Sequence, residues 1–211
     1  MPTDLLDRRR ALLLSVAAGL AALGGRAGRA APSATDAEAF IEEVSARVLA
    51  ILSDQGLSDR QKFDALVDLL SGPIDLDLVA RLILGRHWRT ADDAQRQQYL
   101  ELFREYALAN LASKLHLYQG QSFEVTGAKV VSDKDALVTS RIMSEGQPPL
   151  QVDWRLREQD DGGLVTIDLI VEGVSLIVTL RSEFGSVIER QGFDGLLAEL
   201  RQRITQTRAQ A

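Results

Sequence analysis

His87 and His116 are the only two histidines in the chain, and there is no cysteine. Metal sites need His, Cys, Asp or Glu at ligating spacing, and neither histidine has such companions. His87 stands beside Trp88 at the end of an apolar stretch, where packing is the simpler role. Without cysteine, thiol chemistry and disulfide staples are excluded. Gly173-Val174-Ser175-Leu176-Ile177 lacks the second glycine of a nucleophile elbow. Ser175 reads instead as the start of a helix, its hydroxyl accepting from free backbone N–H groups. Glu42-Glu43 and Asp160-Asp161 read as solvated surface charge. Asp153 and Asp168 are the first carboxylates to test as a general base, yet both alternate with apolar residues and are expected to face water. There is no glycine-rich phosphate loop. The informative surface is then apolar. Val152, Trp154, Leu156, Ile167, Leu169 and Val171 suit either a packed core or a cavity wall, and on pattern alone the packed core is simpler.

The elements that must position these residues fall into three blocks. Up to Gly120 the period is helical. Thr35 to Ser53 repeats apolar residues at Phe40, Ile41, Val44, Val48, Leu49 and Leu52. Ser58 with Gln61 forms a capping-box pattern ahead of Phe63, Leu66, Val67 and Leu70, and Ser71-Gly72-Pro73 ends that helix. A short helical turn runs from Leu78 to Leu84. Thr90 with Asp93 opens the longest helix, Ala91 to Leu117, with the stripe Leu100, Phe103, Ala107, Leu111 and Leu115, interrupted by Asn110. After Gly120 the period drops to two. Phe123 to Val130, Ala136 to Ser144, Leu150 to Arg157 and Leu164 to Val171 predict an antiparallel meander with one packed face and one wet face. After Gly173 helical spacing returns through Ile177, Leu180, Phe184, Val187 and Ile188. Gly192 is placed to cap that helix, and Phe193 to Ile204 forms a last one. The order predicts an α+β domain with helices against one face of a curved sheet.

Residues 1–30 have a different character. Arg8, Arg9 and Arg10 precede an apolar run from Ala11 to Leu23, and Gly28-Arg29-Ala30 offers small residues before a cut. This is the layout of a cleaved secretory signal peptide, with Asp7-Arg8-Arg9-Arg10-Ala11-Leu12 also resembling a twin-arginine signal. The run of about 13 residues is too short to span a bilayer, which takes about 20. The mature chain, residues 31–211, is expected to be a single soluble domain. Without the leader's five arginines and two aspartates it carries 19 basic and 28 acidic residues, near −9. That charge argues against a nucleic-acid partner and against lasting attachment to anionic headgroups.

Three stretches resemble the MlaC, or toluene-tolerance, family of periplasmic phospholipid-binding proteins. The first is Leu84-Gly85-Arg86-His87-Trp88-Arg89-Thr90-Ala91 with Gln95-Arg96 and Phe103-Arg104-Glu105-Tyr106. The second is Leu117-Tyr118-Gln119-Gly120-Gln121. The third, and most specific, is Glu172-Gly173-Val174-Ser175-Leu176-Ile177, running into Arg181-Ser182-Glu183-Phe184-Gly185 and Gly192-Phe193-Asp194-Gly195-Leu196. Together they span essentially the whole mature chain. His87 departs from the family's usual aromatic.

The resemblance implies a nuclear-transport-factor-2-like α+β fold with a deep apolar pocket between helices and sheet. It implies a non-enzymatic periplasmic shuttle that maintains outer-membrane lipid asymmetry. Such a shuttle carries phospholipid between an outer-membrane Mla lipoprotein complex and an inner-membrane Mla ABC transporter complex. The phospholipid is cargo and no cofactor is expected; the carrier is expected to be a monomer that meets membranes only transiently. The candidate lipid-binding residues on the strand face and its covering helices are Leu82, Phe103, Leu111, Tyr118, Val152, Trp154, Ile167, Leu169, Val171, Val174, Ile177 and Val178. Val174, at the strand-to-helix corner, is the sharpest of these, and Val174→Glu is expected to block loading. Arg96 and Arg155 are candidates for contacts to partner proteins or to the phosphate. A different apolar cargo such as a hopanoid, and an enzyme using Asp153 or Asp168, are the rival readings.

Overall fold

A computed structural model of the chain describes residues 32–210. The leader expected over residues 1–30 lies outside the described residues. Among the described residues no helix is long and apolar enough to cross a membrane.

Helix α1 (Ala34–Ser53) starts at Ser33, whose side chain accepts from the Asp36 N–H. Helix α2 (Asp59–Leu70) opens on the Ser58/Gln61 capping box expected from sequence. Helix α3 (Leu76–Leu84) is capped by Asp75, and a short helix α4 (Arg86–Thr90) follows across Gly85. The long helix α5 (Asp93–Lys114) does not start at Thr90. Thr90 spends its hydroxyl on the carbonyl of His87, Ala91 is extended, and Asp92 with Gln95 forms the capping box. A 3₁₀ turn (Leu115–Leu117) leads to the sheet.

Strands β1 (Ser122–Val130), β2 (Asp135–Met143), β3 (Leu150–Glu158), β4 (Leu164–Val171) and β5 (Val174–Ser175) pair antiparallel in chain order. The register shifts at Val125/Gly127 and at Arg155/Leu156, and such bulges bend and twist a sheet. β4 turns into β5 through Glu172 and Gly173, both left-handed at φ 48° and 79°, as a two-residue hairpin requires. Glu172 tolerates that conformation with its N–H on the Gln151 carbonyl and its carboxylate accepting from the Gln151 N–H at 2.7 Å. Helix α6 (Leu176–Gln210) is the last described element, broken at Gly192 (φ 74°, ψ 179°) and resuming at once.

The apolar residues gather in two separate clusters. One is purely helical and joins α3, α5 and α6 through Ile83, Tyr99, Phe103, Phe184, Leu196 and Leu200. Burial pushes the Tyr99 hydroxyl strongly up, and it donates to the Ala80 carbonyl at 3.0 Å. The other cluster lays α1, through Ala37 and Ile41, on the sheet at Ala136, Val138 and Leu156, with Phe123 and Trp154 at its edge. The meander's packed face is therefore only partly covered by α1.

Candidate functional site

The remaining part of that face meets the helical cluster across a gap. This first chamber, about 310 Å³, is lined by α3 through Leu76, Val79 and Ile83, and by α5 through Phe103, Tyr106, Ala107 and Asn110. The sheet supplies Trp154 and Thr166 to Leu169, and α6 supplies Leu176, Ile177 and Leu180. A second chamber of about 580 Å³ lies beside it, between the end of α2, the next stripe of α5 and Val165. Ile74, Leu76 and Ala107 belong to the walls of both. Carbon dominates the first chamber. The second is more mixed, with Arg104 donating to Asp77 at 3.0 Å and Gln159 on its wall.

The polar groups on the first chamber's wall are largely occupied by the protein. Asp168 accepts from the Ser175 hydroxyl and from the Ile177 N–H at 3.0 Å, while the Ser175 oxygen accepts from the Val178 N–H at 3.1 Å. Ser175 thus caps α6 and Asp168 supports the cap, which adds negative charge where the helix dipole is positive. Asn110 donates to the carbonyl of Tyr106 one turn earlier. The Trp154 indole donates to Ser140 at 2.8 Å, and the Ser140 hydroxyl donates in turn to the Val152 carbonyl at 2.8 Å. Among the described residues no buried side-chain nitrogen or oxygen is left unpaired.

The expected liners divide by position. Phe103, Trp154, Ile167, Leu169 and Ile177 line the first chamber, and Leu111 the second. Leu82 packs against the helical cluster and Tyr118 is half-buried past the end of α5; neither is on a chamber wall. Val152 is buried in the sheet but also off the walls. Val171, Val174 and Val178 are on the surface, 40%, 61% and 61% exposed. The reversal through Glu172 and Gly173 turns this corner outward, so Val174 sits beside the chamber's Leu176 rather than inside. Ile74, Val79, Ile83, Tyr106, Leu176 and Leu180 are wall residues the sequence reading did not name.

The two arginines expected to meet partners are engaged within the fold. Arg96 donates to the carbonyls of Trp88 and Arg89 and to Asp93, and stacks over the Trp88 ring at 5.6 Å. Arg155 donates twice to Asp135, which also accepts from Arg157. Asp135 is only 2% exposed. Burial pushes its carboxyl up, but the hydrogen bonds and charges of Arg157 and Arg155 outweigh this and hold it below its ordinary value. Of the carboxylates considered as bases, Asp153 lies on neither chamber wall and accepts from the Gln151 amide at 3.3 Å. Asp168 does reach the chamber, against the expectation that it faces water. Among the described residues no group of His, Asp and Glu could hold a metal ion.

A family profile described as MlaC protein matches residues 42–202. The intermembrane phospholipid transport system binding protein MlaC of Haemophilus influenzae is 21% identical over 136 residues, 63% of this chain. The chain spans 64% of that relative's length. The phospholipid-binding protein from Ralstonia solanacearum, solved in complex with a phospholipid, has a similar structure with a TM-score of 0.70 and 26% identity. That likeness covers 81% of this chain and 97% of the other.

Proposed function

The chain belongs to the MlaC family, and on that premise we propose that it is a periplasmic carrier that holds the acyl chains of a phospholipid between its two apolar clusters. The observation that carries this reading is the carbon-walled gap between the helical cluster and the uncovered part of the sheet. A protein whose purpose was only to fold would close that gap, because packed interiors leave few voids larger than a water molecule. The phospholipid seen in the Ralstonia relative supports the choice of cargo.

Each methylene moved into water costs about 0.8 kcal/mol. Two bare chains of roughly 15 methylenes would cost on the order of 20 kcal/mol, which bars unassisted crossing of an aqueous space. A carbon-lined chamber offsets that cost by simple burial and needs no reacting group. Asp168 fits this account: both of its oxygens accept at the start of α6, so it shapes the wall. The reading is of a non-enzyme, exported by its leader, that shuttles between an outer-membrane Mla lipoprotein complex and an inner-membrane Mla ABC transporter complex. Phe103, Trp154, Ile167, Leu169 and Ile177 take the cargo in the first chamber. Val171, Val174 and Val178 form an apolar lip next to Leu176, across which a chain slides without full exposure to water.

Solvent extraction of natively expressed protein followed by mass spectrometry is the test. Co-purified phospholipid, or its uptake from vesicles, is expected. Absence of both refutes the carrier reading, and a ring-fused lipid in the extract would replace the cargo.

A further inference from the structure

We propose that the cargo's two acyl chains lie apart, one in each chamber, with Ile74, Leu76 and Ala107 standing between them as a septum. This rests on the phospholipid reading above and goes further by assigning a subsite to each chain.

Volume decides the matter. A cavity of about 150 Å³ holds one benzene, so a chain of about 15 carbons needs on the order of 400 Å³. The first chamber, about 310 Å³, takes most of one chain and excludes a second. The other, about 580 Å³, takes one with room to spare. Neither holds two, and the pair does.

The septum is built to stay in place. Ile74 forms a parallel bridge to Thr166, and the Thr166 N–H donates to the Pro73 carbonyl at 2.8 Å, which fastens this segment to the edge of β4. Leu76 is the first residue of α3, set by the Asp75 cap on the Leu78 N–H at 2.9 Å. Those bonds fix the backbone at both positions, and both side chains line the two spaces. Opposite them α5 presents the methyl of Ala107, which lines both spaces. The walls differ in kind as well: the second chamber carries the Arg104–Asp77 ion pair and Gln159, while the first is nearly all carbon.

The wild-type chain, loaded with a two-chain glycerophospholipid carrying a diazirine at the end of either acyl chain, is the direct test. Uptake is measured by extraction, and adducts are mapped by mass spectrometry after illumination. Adducts are expected both at Leu169, Leu176 or Leu180 and at Val67, Leu70 or Leu108. Good uptake with adducts confined to one set overturns the division. No uptake at all overturns the phospholipid reading and this inference with it. A second arm fills the larger chamber alone: Leu108→Trp is expected to lower two-chain loading at least tenfold while single-chain lysophospholipid still binds. Unchanged two-chain loading in a folded Leu108→Trp protein also overturns the division, and if that variant does not fold, the labelling pattern decides.

Discussion

Leu169→Glu is the sharpest test of the chamber. Leu169 lines the first chamber and belongs to neither buried cluster, so a change there acts on cargo more than on the fold. Allowing roughly 25 Å³ per carbon, the chamber of about 310 Å³ holds on the order of twelve carbons. At about 0.8 kcal/mol each, their burial contributes on the order of 10 kcal/mol to binding. A carboxylate at Leu169 denies the chain a few of those carbons and must itself be neutralised or stay hydrated. The loss comes to about 3 kcal/mol or more, at least a hundredfold in affinity. Phospholipid content after native purification and uptake of a fluorescent phospholipid are the assays, with the thermal midpoint as the control for folding. Wild-type loading in a folded Leu169→Glu protein would show that chains do not occupy this chamber. Val174→Glu is a weaker test, because at 61% exposure its charge stays in water and the cost of burying it does not arise.

Three further outcomes are expected. Ser140→Ala strips the partly buried Trp154 indole of its acceptor and the Val152 carbonyl of a donor and should cost about 1–3 kcal/mol in urea unfolding; adding Trp154→Phe should recover the part due to the indole, and no recovery refutes the relay. Asp135→Asn should destabilise by about 1–3 kcal/mol near pH 7, since it leaves the half-buried Arg157 and the more exposed, solvent-screened Arg155 without their counter-charge. Because the folded carboxyl is held below its ordinary value, its stabilisation is full above the unfolded value of about 3.9 and is lost as pH falls through the lower folded value. Wild type should therefore show an acid-dependent loss of stability that the Asn variant lacks, as read by unfolding at a series of pH values. Arg96→Ala should lower the thermal midpoint by an amount equivalent to about 1–2 kcal/mol, through the carbonyls of Trp88 and Arg89. It should leave the transfer rate of loaded protein unaltered, and a transfer defect with normal stability would mark Arg96 as a partner contact.

Alternation located all four long strands to within about a residue or two, because each has one covered face and side chains alternate strictly. The Ser58/Gln61 cap was equally legible. The Asp92/Gln95 cap was misplaced because Thr90 and Asp93 offer a competing pattern, and only the Thr90 hydroxyl's use on His87 separates them. The wall residues of α3 carried a readable signal: Leu76, Val79 and Ile83 are spaced three and four apart on one helix face. Ile74 carried none, since its place depends on a bridge to Thr166 far along the chain. The strand's inside-outside rule failed at Val171 to Val178, where two consecutive left-handed residues reverse the chain and the face of one strand no longer predicts that of the next. Sequence shows the charge of the two arginines but not the buried Asp135 or the backbone carbonyls they bond within the fold.

The division of the apolar residues into two clusters has a consequence for how the protein opens. Helical and sheet clusters are built from different residues, so they are expected to open with different free energies. In the empty protein, amides of β2 and β3 and amides of α5 should exchange with solvent on separate schedules. Cargo that touches both Trp154 and Phe103 adds contacts to each unit at once. At a lipid concentration about 1,000 times its dissociation constant this adds about 4 kcal/mol to the loaded state, and the two schedules converge. The cargo is then the missing layer of the interior, and releasing it removes the contacts it made to both clusters at once.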